Sequence, residues 1–191
     1  MNKLYVIAGC NGAGKTTASY TILPELLNCK EFVNADEIAR GLSPFQPEKA
    51  GIEAGRLMLE RTKKLLELRT NFAFETTLAT RSYAQLIKIA KMKGYEVTLL
   101  FFWLASPSLA LQRVKRRVEE GGHNIPEEII KRRYKGGLKN FFNLYMPILD
   151  NWMFINNSGA NYEIVAEGYN HHVNVNNSVL WNSIKKEYHE H

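Results

Sequence analysis

Hydrophobic positions along the chain fall into short continuous runs separated by stretches of helical spacing. Leu4 to Ala8 is apolar, partly β-branched and followed at once by glycines, which predicts a strand buried on both faces. From Gly14 to about Leu27 the spacing turns helical and stops between Pro24 and Asn28. Phe32 to Ala35 predicts a short strand with Asp36 at its C-terminal end, and Phe72 to Phe74 another that ends in Glu75. Between them Ile52, Leu59 and Leu66, with Met58 and Leu65 beside them, recur at sevens and mark a helix from about Pro47 to Leu68.

Further along, Tyr83, Leu86, Ile87 and Ala90 repeat at i, i+3, i+4 and i+7, a helix closed by Gly94. Val97 to Leu104 is the longest apolar run and predicts a fourth strand; Leu111, Val114 and Val118 face inward on the helix after Pro107. Gly121-Gly122 breaks the pattern before a second basic helix from about Pro126. Trp152 to Ile155 and Tyr162 to Ala166 predict late strands. The Asn- and His-rich stretch from Tyr169 to Asn177 is either disordered or an edge strand, and Val179 to Tyr188 is weakly helical.

Strands alternating with helices at this spacing predict an α/β fold: three layers, with a mostly parallel sheet covered on both faces. One domain is expected over residues 1–168, with 169–191 a weakly helical or partly disordered tail. In such sheets ligands gather at the carboxyl ends of the strands, which is where Gly9, Asp36 and Glu75 fall.

Composition narrows the class. The 191 residues are 45% hydrophobic and 23% charged, values that exclude disordered, collagenous and low-complexity chains. Two cysteines, Cys10 and Cys29, lie in no CxxC pair and near no His cluster, so a disulfide scaffold and a zinc site are not expected. No apolar stretch reaches 18 residues and no signal-peptide pattern opens the chain, which fits a cytoplasmic protein with no membrane partner. The formal charge of +6 calls for an anionic partner. Its placement is uneven: between Leu111 and Asn140 lie nine Lys or Arg and four acids, a net of +5.

The chemistry begins at Gly9-Cys10-Asn11-Gly12-Ala13-Gly14-Lys15-Thr16, a full G-x-x-x-x-G-K-[ST] match that follows a strand and opens a helix. Gly9, Gly12 and Gly14 let backbone N–H groups, with Asn11 and Ala13 among them, turn inward around phosphate oxygens. The helix N-terminus adds partial positive charge, at Thr17 as well as at Lys15 and Thr16. Lys15 would reach the β- and γ-phosphates and the Thr16 hydroxyl would ligate Mg²⁺. ATP and Mg²⁺ are therefore the expected cofactors. Guanine-reading Asn-Lys-x-Asp and transporter-type Leu-Ser-Gly-Gly motifs are absent, and Val97 to Leu104 ends without an acid, which disfavours GTPase, transporter and motor readings.

Two acids remain. Asp36 is either a base that takes a proton from an attacking hydroxyl or the N-cap of a helix starting at Glu37. Glu75, carried to a buried strand end, needs a cation or donors, as a metal or acceptor ligand or in an ordinary ion pair. Thr76 and Thr77 are turn residues or ligand contacts. In the basic segment, Arg113 and Arg117 share a helical face, and Gly121-Gly122 offers a hinge before Arg132 and Arg133. That pattern suggests a lid over about 107–140 that brings arginines to the transferring phosphoryl. For Lys115, Arg116, Lys135 and Lys139 a solvated face is the better reading. His123 reads as a loop residue and not as a catalyst.

Taken together, Gly-Cys-Asn-Gly-Ala-Gly-Lys-Thr-Thr (9–17), Asn-Ala-Asp-Glu-Ile-Ala (34–39), Gly-Leu-Ser-Pro-Phe (41–45), Phe-Glu-Thr-Thr (74–77), Arg-Val-x-x-Arg-Val (113–118), Gly-Gly-His-Asn-Ile-Pro (121–126) and Arg-Arg-Tyr (132–134) resemble the zeta-toxin-like P-loop kinases from about Lys3 to Glu167. The resemblance implies an adenylate-kinase-like core with an Arg-bearing helical lid and phosphoryl transfer from ATP to a hydroxyl of a small molecule, in the toxins the amino-sugar of UDP-N-acetylglucosamine. By motif, it makes Lys15 and Thr16 phosphate and metal ligands, Asp36 the base, and Arg117 and Arg133 the lid arginines, with Arg113 also near ATP. Glu75, Thr76, Thr77 and Arg81 would lie on the acceptor or metal side. It adds a protein antitoxin as a partner and leaves nucleic acid disfavoured. Two rivals stay open: a polynucleotide kinase, and an ATP-binding regulatory module without transfer.

Overall fold

The computed structural model describes residues 1–122, 124–170 and 172–189. His123 lies outside the described residues. Among those residues the chain runs β1 (Asn2–Gly9), α1 (Lys15–Thr21), β2 (Glu31–Val33), α2 (Ala35–Leu42), α3 (Gly51–Glu67), β3 (Phe72–Thr76), α4 (Ser82–Met92), β4 (Tyr95–Trp103), α5 (Pro107–Glu119), α6 (Glu127–Asn140), β5 (Asn151–Asn156), β6 (Glu163–Tyr169), β7 (His172–Val175) and α7 (Ser178–Tyr188).

One sheet holds all seven of these strands in the order β2-β3-β1-β4-β5-β6-β7. The first five are parallel, and β6 and β7 are antiparallel additions at one edge. The apolar runs account for the order. β1 and β4 are buried almost throughout and lie side by side at the centre, whereas the three-residue β2 forms the edge. β3 pairs directly with β1, with Ile7 opposite Glu75 and Ala8 opposite Thr76, so the acid at the end of β3 arrives beside the glycine loop.

Two sequence expectations change. In α3 the buried face is Ala54, Met58, Thr62, Leu65 and Leu66, while Ile52 and Leu59 of the sevenfold stripe are exposed. A 3.6-residue period drifts off a strict seven, so the stripe only partly follows the face that α3 presents to the sheet. The division at 168 also fails, because β6 crosses it and β7 hydrogen-bonds to β6 as an edge strand. Beyond β7, α7 is a well-formed helix with Trp181 and Ile184 in the main core. The Trp181 ring stacks on Trp152 at 5.4 Å and 11°. It also meets Phe142, from a short π-helical turn over Phe141–Tyr145, and Phe154 of β5.

The segment expected to be a lid is likewise tied down. α5 buries Ala110 and Val114, and α6 buries Ile130, Tyr134 and Leu138. The Tyr134 hydroxyl donates to the Leu104 carbonyl at 2.7 Å. Both helices therefore belong to the layer that covers the sheet; Lys115, Arg116, Lys135 and Lys139 are exposed on them, whereas Arg113, Arg117 and Arg133 are half-buried.

Truncating Trp181 to Ala should cost about 3–5 kcal/mol of stability, the range for emptying a packed aromatic site. Urea denaturation checks this; a loss under about 1 kcal/mol would mean that α7 is peripheral to the core.

Candidate active site

The glycine loop between β1 and α1 is held from both sides. Gly9, Gly12 and Gly14 all have positive φ, and Gly14 is the N-cap of α1 at φ 81°. A Cβ at Gly14 would lie 2.6 Å from Asn157 Nδ2, which donates to the Ala13 carbonyl at 2.8 Å. Asn157, just beyond β5, thus buttresses the loop, a role that no motif in the sequence marks. Arg113 reaches the same β5–β6 connection, donating to the Ser158 carbonyl at 3.2 Å. Lys15 is only 6% exposed. Its ammonium donates to the Cys10 carbonyl at 2.9 Å and lies 3.5 Å from Glu75 Oε1. Thr17 is exposed on the first turn of α1.

Glu75 gathers its donors from two places, the start of α1 and the β2–α2 junction. Its Oε2 accepts from the Thr16 hydroxyl at 2.8 Å and from Asn34 Nδ2 at 3.0 Å, while Oε1 faces Lys15. Asn34 in turn accepts from the backbone N–H of Asp36 and Glu37, at 2.8 and 3.4 Å, and so caps α2. The N-cap is therefore Asn34, and Asp36 sits inside the first turn of α2. An Asn followed by two acids is a recognisable helix start; what the sequence hides is that its amide also reaches Glu75.

The Thr16 hydroxyl and the Glu75 carboxylate are hard oxygen donors side by side at the mouth of a phosphate loop. They fit Mg²⁺, which takes one or two protein oxygens and completes its shell with phosphates and water. Among the described residues no group of three or more His, Cys, Asp or Glu could hold a metal ion.

A cavity of about 450 Å³ opens beyond this cluster, lined by Asn11, Lys15, Asn34, Asp36, Glu75, Thr76, Thr77, Thr80, Tyr83, Arg132 and Arg133, with Ala35, Ala79 and Gly136 between them. It brings together residues from the glycine loop, α2, β3, α4 and α6. Arg133 extends to the glycine loop and donates to Asn11 Oδ1 at 3.1 Å. Burial lowers the pKa of its guanidinium, the field of Asp36 opposes that shift and the neighbouring Arg132 adds to it. An arginine so placed still stays cationic at neutral pH.

Arg117 is not among the residues that line the cavity. It packs under the Gly-Gly turn, where Gly122 N–H donates to its carbonyl at 2.8 Å. Arg81 is exposed at the N-cap of α4 and also stays outside the lining. The surrounding positive charge is partly answered by acids on the same helices, Arg116 by Glu120 and Lys131 by Glu127 and Glu128.

The loop after β3 is fixed by α6 and the turn that follows it. Leu78 is fully buried yet has φ 60°, a conformation that costs about 1–2 kcal/mol for such a residue. Its N–H donates to the Thr76 hydroxyl and its carbonyl accepts from Asn140 Nδ2 at 2.8 Å. The Tyr145 hydroxyl donates to the Thr80 carbonyl at 2.6 Å. At Gly137 a Cβ would fall 2.5 Å from the Thr77 carbonyl oxygen, so the close approach requires glycine.

A phosphate-binding loop, a metal-fitting acid on the adjacent strand and a charged cavity at the strand ends define a P-loop protein with the kinase type of three-layer sheet. The chain belongs to the zeta toxin family, whose model matches residues 2–162. It is 33% identical to an uncharacterized protein of Haemophilus influenzae over 133 residues, 70% of this chain and 93% of that one. Among solved structures it resembles a chain of the AvrRxo1-ORF1:AvrRxo1-ORF2 complex with sulphate ions, at a TM-score of 0.79 and 18% identity, over 96% of this chain and 63% of that one. It therefore spans under two thirds of that partner's length. A chain of the PezAT chromosomal toxin-antitoxin system of Streptococcus pneumoniae aligns with a TM-score of 0.65 and 19% identity over 85% of this chain and 72% of that one. At these identities the likeness is one of fold. Among the described residues no helix is long and apolar enough to cross a membrane.

Replacing Asn34 by Ala removes a helix cap and one Glu75 donor, and should destabilise the protein by about 1–3 kcal/mol in urea denaturation. Asn34→Asp can keep the cap but sets a carboxylate against Glu75; at pH 7 it should lose more than Asn34→Ala, and equal or better stability would contradict the Asn34–Glu75 contact. Burial pushes both thiols, Cys10 and Cys29, up to about 11. Neither should be alkylated by iodoacetamide in the native protein at pH 8, which mass spectrometry can read, since the thiolate is the reacting form.

Proposed function

We propose that the protein is an ATP-dependent phosphotransferase that moves the γ-phosphoryl of ATP to a hydroxyl of a small molecule. The observation that carries this reading is Asp36, a carboxylate in the first turn of α2 that lines one cavity with Lys15, Glu75 and Arg133. A P-loop protein that only hydrolyses or senses its nucleotide has no need of a base facing a cavity sized for a second molecule. Membership of the zeta toxin family supports the reading, and a chain of the AvrRxo1-ORF1:-ORF2 complex with ATP shares the fold at a TM-score of 0.75.

In this reading the acceptor hydroxyl enters beside Asp36, which takes its proton as the hydroxyl oxygen bonds to the γ-phosphorus and the bond to the ADP oxygen breaks. Lys15 releases the Cys10 carbonyl to meet phosphate oxygens. Arg133, already extended to Asn11, balances the charge of the transferring group. Mg²⁺, held by Thr16 and Glu75, would supply charge neutralisation between phosphate oxygens. Arg117 and Arg113 stand farther from the cavity and suit nucleotide contacts outside it. Family membership makes a UDP-N-acetyl-sugar a candidate acceptor and a protein antitoxin a candidate partner, the latter also in keeping with the PezAT likeness; the cytoplasm is the compartment that fits free cysteines and ATP.

Asp36→Asn keeps the shape of the side chain and removes the base. Transfer from γ-labelled ATP should fall about 10²–10⁴-fold, while ATP affinity, read by calorimetry, changes little. Wild-type transfer by this variant would remove Asp36 from the base role.

A further inference from the structure

The charged groups of the cavity can be accounted for one by one, and one cation is left over. Glu75 is occupied by Thr16, Asn34 and Lys15. Arg133 serves the glycine loop through Asn11 and lies in the field of Asp36. Arg132 lines the same cavity from its exposed rim and makes no hydrogen bond or ion pair among the described residues. The interaction it does have is with Arg133, a like charge. A guanidinium set beside another cation at the mouth of a site is unfavourable until an anion arrives, and its planar fork suits a carboxylate or a phosphate.

The cavity has room for that anion. Its volume is about 450 Å³, in the lower part of the roughly 300–1,000 Å³ range of small-molecule sites, and the transferring phosphoryl must share it. Tyr83, stacked on Phe74 at 5.0 Å, is the single aromatic residue among those that line it; Ala35, Ala79 and Gly136 are the other apolar ones. One ring face beside small residues suits a sugar or polyol part of the acceptor.

We infer that the acceptor is a hydroxylated anion whose carboxylate or phosphate is held by Arg132 while its hydroxyl is presented to Asp36. This rests on the phosphotransferase reading above and narrows it: Arg132 becomes the residue that selects the acceptor.

The test uses the full chain, Mg²⁺ and γ-labelled ATP with paired probes: D-glucose against glucose 6-phosphate and D-gluconate, glycerol against glycerol 3-phosphate, and UDP-N-acetylglucosamine. An unfractionated polar-metabolite extract is labelled in parallel and its product weighed by mass spectrometry. The expected labelled product is a small molecule with an anionic group besides the new phosphoryl; carboxylated and phosphorylated probes separate the two sources. For that acceptor Arg132→Ala should raise KM about tenfold or more, as loss of a charge-assisted contact does. Both kcat and the KM for ATP should stay near wild type, and Arg132→Lys should recover part of the loss. Labelling of a neutral compound in preference, or an unchanged KM in Arg132→Ala, overturns the inference and leaves the kinase reading intact. ATP binding with no labelled product from any probe or from the extract overturns the kinase reading itself, and the inference with it.

Discussion

The site depends on where the charge of Glu75 goes. A carboxylate brought to the end of a buried strand must find donors or lose its ionisation. Here it finds the Thr16 hydroxyl, the Asn34 amide and the Lys15 ammonium, contributed by the glycine loop's helix and by the β2–α2 junction. Asn34 is simultaneously the cap of α2, so one amide side chain that helps satisfy the buried acid also sets the first turn in which Asp36 stands. Phosphate loop, metal-fitting acid and candidate base are thereby held in one frame.

A second constraint comes from the other side of the cavity. The loop after β3 contains a buried leucine in a left-handed conformation, and Asn140, Gly137 and Tyr145 hold it there. α6 pins that loop with one face and extends Arg132 and Arg133 into the cavity from another. The arginines are consequently positioned by a core helix. The inner faces of both α5 and α6 are packed.

The antiparallel β6 and β7 and the helix α7 complete the far half of the sheet. Trp181 covers Trp152 and Phe154, and the β5–β6 connection so supported carries Asn157 to the glycine loop and Ser158 to Arg113. The C-terminal segment thus reaches the nucleotide side of the site through packing, without lining the cavity.

The amino-acid sequence alone determined the glycine loop, the strand and helix positions and the two acids at strand ends, because each is written in neighbouring residues: a period, a run, a glycine spacing. The parallel sheet also followed, since strands alternating with helices leave few other arrangements. The burial of Trp181 did not, because an isolated Trp and Ile on a polar helix have no period to read and acquire a partner only when β5 lies beneath them. Nor did the contacts that make the site. Glu75 meets Thr16 across 59 residues and Asn34 across 41, and Arg133 meets Asn11 across 122. Those meetings were decided by β3 pairing beside β1 and by α6 lying over its end, long-range choices of sheet order and helix packing that short-range sequence pattern does not encode.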